Sequence, residues 1–491
     1  MGTPVKNHNP WPRSVVDAAE WQAAIAELAA GNWTLLGLWG EPHTAHMAVL
    51  APTEIAVLSI HCIDKKYPSV GLHHNPAIRL ERSMRDLFGL DPVGLPDTRP
   101  WLDHGSWGIT TPLATPPGEP TGDVSYKFLP VTGKNLHEIP VGPVHAGIIE
   151  PGHFRFTADG ETVVRLEQRL GYTHKGTESL MRGADLARAA KLAGRVSGDS
   201  TVAYAFAFAR AAEAALGLSP PPRAVWLRAV MAELERLANH LGDFGAICND
   251  ASFVIMLAYC GMLRERVLRT AAACFGHRLM MDRVVPGGIT ADLDATGAAA
   301  IRALITEVRS RMKQLSELYD KTASLQDRTV TTGIVHPDLA RRFGCGGFIG
   351  RASGRDFDAR RHPGYPPYDA LRFEVPVLQE GDVNARVWIR IREIEQSLSL
   401  LEQIFPNLPP GDIYVEPTPR EAEGMALVES FRGEVLAWLS IDAAGRVARC
   451  HLRDPSWFQW PLLEVAIDGN IVADFPLCNK SFNCSYSGQD L

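Results

Sequence analysis

Hydrophobic spacing at the helical period, sustained over several long stretches, constrains the fold of this sequence more than any other feature. Behind the break Pro220-Pro-Pro222, residues Leu227, Val230, Met231, Leu234, Leu237 and Leu241 recur at the three-and-four spacing of one helix face. Residues 257–274, 298–325 and 385–404 continue the pattern, and 178–216 also reads as helical. Apolar stripes of this length have to cover one another, so most of the chain is expected to form a bundle of long helices.

The amino-terminal part reads differently. Residues 21–30 are helix-like and alanine-rich, and 34–39, 46–50 and 55–60 have the apolar, β-branched character of strands. With 491 residues the chain exceeds what one ordinary core holds. A Pro- and Gly-rich stretch beginning at Thr111 marks a linker, 111–135, between a small α/β unit (1–110) and the rest (136–491). Just past it, residues 153–157 and 162–166 flank Asp159-Gly160, a strong hairpin signal. The expected class is α+β: a small α/β domain, then a mainly helical domain with β-hairpins at its edges.

A net charge of −7 with no basic runs argues against a nucleic-acid partner. The eight cysteines are scattered and form no paired framework, as expected for reduced thiols in the cytoplasm. Met1 to Arg13 is polar and contains prolines, so no secretory signal is expected. The most apolar run, 251–263, falls short of the ~20 residues of a membrane span, so the chain is expected to be soluble and to meet a membrane through partners. Gly287-Gly288 and Gly346-Gly347 lack the surroundings of a phosphate loop, and no nucleotide site is expected.

Two distant segments carry the chemistry. Arg195-Val-Ser-Gly-Asp-Ser200 and Asn483-Cys-Ser-Tyr-Ser487 both have the C-x-x-C spacing of a two-thiolate clamp, as Ser197/Ser200 and Cys484/Ser487. Three of those four positions are serine. A soft metal needs thiolates, and a neutral hydroxyl is a poor substitute.

Three stretches together resemble the large subunit of membrane-bound nickel–iron hydrogenases of the formate-hydrogenlyase and hydrogenase-4 type, a fold also used by the quinone-site subunit of NADH:quinone oxidoreductase. They are Gly142-Pro-Val-His145 through Glu178, Arg195-Val-Ser-Gly with Glu233-Leu-Glu-Arg-Leu-Ala-Asn-His240, and Glu429-Ser-Phe-Arg-Gly-Glu434 through Asp454-Pro-Ser-Trp457 to the terminus. Glu81-Arg-Ser-Met-Arg-Asp-Leu-Phe-Gly-Leu90 with Pro96-Asp-Thr-Arg99 is similar to the 30 kDa subunit of the same enzyme, a module fused ahead of such large subunits.

The resemblance implies roles. Ser197, Ser200, Cys484 and Ser487 stand at the positions of the metal-binding thiolates, so neither a nickel–iron centre nor any other metal is expected. The sequence closes one residue past Asp490, which leads to the expectation that no cleaved maturation tail is present. His145 and His153 correspond to a hairpin where a relative's histidine meets a quinone headgroup, and either could exchange a proton. Gly198 falls where the quinone-contacting tyrosine would be, which leaves Asp199 or Tyr204 as proton donors nearby. Arg351 and Arg432 match basic residues near the pocket; each could offset substrate charge or pair with Asp356, Asp358 and Glu434. Glu178 is either a proton-path acid or a helix-start acid, and His240 either a wire or a satisfied core histidine. Cys484 is either a remnant ligand or a small buried hydrophobe.

The implied function is an electron- and proton-transfer subunit of a membrane-associated respiratory oxidoreductase, quinone-linked, with no firmly bound cofactor. The implied partners are a small subunit carrying a 4Fe-4S cluster, antiporter-like membrane subunits and quinone, on the cytoplasmic side of a bacterial inner membrane. A silent coupling scaffold and an atypical hydrogenase are the alternatives.

Overall fold

The computed structural model describes residues 2–52, 54–119, 125–146 and 149–491. The amino-terminal sheet has five strands in the order Thr3–Pro4, Arg13–Val16, Ile55–His61, Thr44–Leu50, Thr34–Glu41. Helix Ala18–Ala29 begins in a capping box, Asp17 accepting from the Glu20 N–H at 2.8 Å, and buries Trp21, Ala24, Ile25 and Leu28 at helical spacing. Helix Ile78–Phe88 ends at Gly89, whose φ of 69° is the left-handed stop that glycine takes without penalty.

Alternation in the sheet explains why its strands are so apolar. Leu35, Leu38, Met47, Val49, Leu58 and Ile60 face a core shared with the two helices. Leu36, Trp39, Ala48, Ile55 and Val57 face the opposite way, into a core shared with the carboxy-terminal half. Both faces are covered, so both are mainly apolar, and the buried polar side chains of His46 and Ser59 bond each other at 2.8 Å.

The element on that second face is a four-stranded sheet, ordered Val447–Arg453, Gly433–Ile441, Ala422–Ser430, His8–Asn9. Its last strand comes from the amino terminus and runs parallel, with His8 opposite Glu423. Arg13 reinforces the junction through Glu423 at 2.5 Å, and Arg453 donates to the Leu36 carbonyl at 2.7 Å. Helix Thr201–Leu216 lies on this sheet. Its many alanines allow close approach, and a Cβ at Gly424 would run into the helix backbone at Ala211 and Ala215.

The helical bundle comprises Pro222–Asp250, Val254–Phe275, Ala295–Lys321 and Val383–Asn407. The first two cross so tightly that a Cβ on Gly245 would lie 2.8 Å from the Cys260 Cβ. The continuous helix expected over 178–216 is instead three: Thr177–Met181, Leu186–Ala193 and Thr201–Leu216. Gly183 takes φ 75°, Asp185 caps the second helix, and the third starts only after the Ser197–Ser200 loop. The hairpin predicted around Asp159-Gly160 is present as His153–Asp159 and Thr162–Arg169, extended by a third strand, Leu136–Val141. Between the amino-terminal unit and this hairpin, Leu113 and Ala114 are buried, and the Tyr126 ring lies under Arg99 and Arg169 at 4.9 and 4.4 Å.

Candidate functional site

The site forms where three segments meet: the loop 195–200, the hairpin turn 430–433 and the terminal stretch 483–491. Lys175 fixes the first loop by donating to the carbonyls of Arg195 and Val196 at 2.9 and 2.8 Å. Glu235 closes the start of the next helix, accepting from the N–H groups of Val202 and Ala203 at 2.7 and 3.1 Å, while burial pushes its carboxyl up to about 8. The hairpin turn lies against backbone, since Gly347 has no room for a Cβ beside the Arg432 carbonyl. Asn483 ends helix Phe475–Phe482 in the left-handed region, φ 46°, and turns the chain into the site.

At the centre is an ion pair. Arg432 presents its guanidinium edge-on to Asp199, with Nη2–Oδ2 at 2.6 Å and Nη1–Oδ1 at 2.9 Å. Ser197 Oγ donates to Asp199 Oδ1 at 2.6 Å and Ser200 Oγ at 3.3 Å. Arg432 Nε donates to the Asn483 carbonyl at 2.5 Å, and Ser485 Oγ reaches Ser197 Oγ at 3.4 Å. Burial would raise the Asp199 carboxyl, but the guanidinium outweighs it and holds Asp199 at about 2.

The other two thiolate positions differ. Cys484 is buried 4.0 Å from Gln459 Oε1, and burial keeps its thiol well above the usual range. Ser487 is buried, its N–H donating to Glu150 at 3.1 Å. The donor set does not fit a nickel–iron centre. It offers one protonated thiol and three hydroxyls, two of them spent on Asp199, with a guanidinium already beside them. Among the described residues, no cluster of three or more His, Cys, Asp or Glu could hold a metal ion.

His145 and His153 sit at the adjoining hairpin neck. Gly142 and Gly152 close this neck, and a Cβ on Gly152 would lie 2.6 Å from the Tyr486 ring, so only glycine lets the hairpin seat there. The His145 ring lies 6.3 Å from Tyr486. His153 Nδ1 lies 3.2 Å from the Gly142 carbonyl, which can only accept, so that nitrogen carries the proton. Its Nε2 has no partner among the described residues. Burial lowers both imidazoles, so they are neutral at neutral pH.

Tyr204 and Arg351 lie behind the site rather than in it. Tyr204 donates to Asp454 at 2.5 Å and is buried, which keeps its hydroxyl protonated. Arg351 binds Glu393 and Glu429 at 2.7 and 2.8 Å and lies 3.7 Å from Asp358. Of the acids expected near Arg432, none is its partner; that role falls to Asp199. Glu178 faces Arg449 at 2.8 Å and His451 at 3.0 Å, which hold it at about 2 against the penalty of burial. The sequence reading missed Glu235, Ser485 and Asp490. Asp490 accepts from Gly171, Thr173 N–H and Thr173 Oγ1 at 2.7–2.9 Å and so pins the terminus to the 171–174 loop.

Comparison with known proteins agrees with this architecture. The family profile described as the respiratory-chain NADH dehydrogenase 49 kDa subunit matches residues 250–422 and 416–490. Formate hydrogenlyase subunit 5 of Escherichia coli is 32% identical over 437 residues, covering 87% of this chain and 77% of that protein. An NADH-quinone oxidoreductase subunit from Desulfotalea psychrophila is 30% identical over 339 residues, covering 68% of this chain and 91% of that protein. A chain of the membrane-bound sulfane sulfur reductase, an archaeal respiratory membrane complex, superposes with a TM-score of 0.69 at 25% identity, covering 73% of this chain and 99% of its own length.

Proposed function

The chain belongs to the family of the respiratory-chain NADH dehydrogenase 49 kDa subunit, and on that premise we propose that it is the electron- and proton-transfer subunit of a membrane-associated, quinone-linked respiratory oxidoreductase built without a nickel–iron centre. The Asp199–Arg432 pair carries this reading. A guanidinium, bonded to Asp199 and in reach of Ser200, occupies the loop whose serines the resemblance sets at thiolate positions. Two serines serve that pair instead of a metal.

The chemistry left to this chain is proton handling. With Nδ1–H given to Gly142, His153 keeps a bare Nε2 that accepts the O–H of a quinol or, once protonated, returns that proton to a reduced quinone. The electrons leave to a 4Fe-4S cluster on a small partner subunit. Arg432 and Asp199 form a fixed dipole beside the path, and Tyr204 is held away from it by Asp454.

An apolar face at the start of helix Val254–Phe275 supports assembly with partners. Val254, Ile255, Tyr259 and Met262 are 66, 46, 45 and 62% exposed, more than a free surface usually leaves uncovered in one place. No helix among the described residues is long and apolar enough to cross a membrane. Docking on antiporter-like membrane subunits at the cytoplasmic side of an inner membrane accounts for both features.

The test is electron paramagnetic resonance of the partner's cluster in the purified assembly as quinol is added. The expected result is reduction of the cluster, lost in His153→Ala. An unresponsive cluster with every natural quinol overturns the quinone link. A second reading, a silent coupling scaffold, draws support from the engaged state of Asp199 and Tyr204. It predicts that His153→Ala and Ser197→Ala leave turnover of the assembly intact.

A further inference from the structure

Behind the site, a dry network of charges runs from the bundle to the hairpin that carries Arg432. Its members are Glu233, Arg236, His240, Arg351, Asp358, Arg360, Glu393 and Glu429, each no more than 3% exposed. Arg360 bonds Glu233 at 3.0 Å and Asp358 at 2.6 Å, and Arg236 bonds Glu233 at 3.3 Å. Arg351 joins Glu393 to Glu429, and Glu393 meets His240 Nε2 at 2.7 Å. Tyr368 and Ser397 complete Glu233, each at 2.7 Å.

Four carboxylates face three guanidiniums. A surplus negative charge in a medium this dry is costly, and one proton removes it. Two groups can take that proton, His240 and a carboxylate. The imidazole is poorly placed for it. His240 Nδ1 has no partner among the described residues, and the apolar rings of Phe348 and Phe431 lie nearly perpendicular to the imidazole at 6.1 and 6.0 Å. An imidazolium would strand a buried N–H there.

We propose that Glu429 seats one exchangeable proton, making this network a proton-storing site behind the Asp199–Arg432 loop. Of the four acids, Glu393 and Asp358 are held down by Arg351 and Arg360 against the cost of burial, and Glu233 has two guanidiniums and two hydroxyls. Glu429 has one guanidinium and the Ala359 N–H at 2.9 Å. Burial, then Asp358, drives its carboxyl upward. The other groups facing it do not supply the missing charge. Glu434 is paired with Arg453 at 3.4 Å, Arg355 is partly open to solvent and bonds the Cys345 carbonyl, and Tyr365 Oη accepts the Glu429 N–H. Arg236 clamps the carbonyls of Glu429 and Ser430, both at 2.7 Å, so the acid and Arg432 stand at the two sides of one rigid turn. A change of charge at Asp199–Arg432 is therefore felt at Glu429. The storage site itself rests on the charge count and stands apart from the quinone reading.

Infrared spectroscopy of the full-length chain with isotope-labelled glutamate, at neutral pH, reads this directly. The expected spectrum contains a carboxylic-acid carbonyl band that disappears in E429Q and persists in H240Q. Glu81 and Glu235 are buried acids that contribute their own signal, and subtraction of E429Q removes them. Should E429Q fail to fold, D358N carries the test, because removing one negative charge removes the need for the proton and the same band is lost. An acid band of equal intensity in wild type and E429Q, or in wild type and D358N where E429Q does not fold, overturns the proposal.

Discussion

Two ionic regions on either side of the 430–433 turn use the same chemistry in different surroundings. At the site, Asp199 keeps a third of its side chain open while Arg432 is 4% exposed. Behind it, Arg351, Glu393 and Glu429 are exposed by 1% or less. Near water a carboxylate and a guanidinium can part at modest cost, because solvent takes over what the partner gave. In the dry network, removing one member leaves charges that nothing solvates. The open pair is therefore the cheaper of the two to alter, and the closed network the one that holds shape and charge.

The largest expected effect breaks the closed side. Arg351→Met removes the cation that joins Glu393, Glu429 and Asp358, and should cost about 3–5 kcal/mol of unfolding free energy. Asp199→Asn at the open side should cost about 1–2 kcal/mol, because Arg432 keeps the Asn483 carbonyl and the Ser200 hydroxyl. Denaturant midpoints at unchanged m-value measure both. Equal losses would mean that the two regions do not differ as their exposure implies.

Acid sharpens the contrast at the open side. Asp199 sits at about 2 in the fold and at ~3.9 in an unfolded chain, so the unfolded state takes up its proton first. Its stabilisation is complete above about pH 4 and is lost as pH falls through about 2. A denaturation series from neutral pH downward should show a shallower decline in Asp199→Asn than in wild type over that window. Parallel curves would place the acid sensitivity in Glu178 instead, which Arg449 and His451 hold at about 2.

How much of this was legible in the sequence follows from the range of each interaction. The Asp159-Gly160 hairpin and the helix Pro222–Asp250 were readable because turn chemistry and helical spacing act over a few residues. The sheet 422–453 was not. Gly433–Ile441 is buried on both faces, so it shows no alternation, and its partner His8–Asn9 comes from the far end of the chain. Likewise the spacing of Ser197 and Ser200 pointed to their loop as a site. Nothing local announced that Arg432, 233 residues away, would close on Asp199. Arg351 and Tyr204 were picked out as pocket residues, whereas the structure sets both one layer deeper.

The smallest expected effect tests whether the serines matter to the pair they serve. Ser197→Ala removes one of four donors to Asp199 and leaves both guanidinium bonds and the Ser200 contact. Alanine fits the space of serine, so no cavity term arises, and the loss should stay below about 1 kcal/mol. Because a donor to the charged form is gone, the Asp199 carboxyl should rise towards its unfolded value, so the acid-induced loss should still begin at about pH 4 but be smaller and complete at a higher pH, in the same sense as Asp199→Asn and weaker. Titration of the isotope-labelled Asp199 carboxyl in wild type and variant reads the shift directly. An unmoved titration would mean that Ser197 does not help set the charge at this site and only fills space beside Asp199.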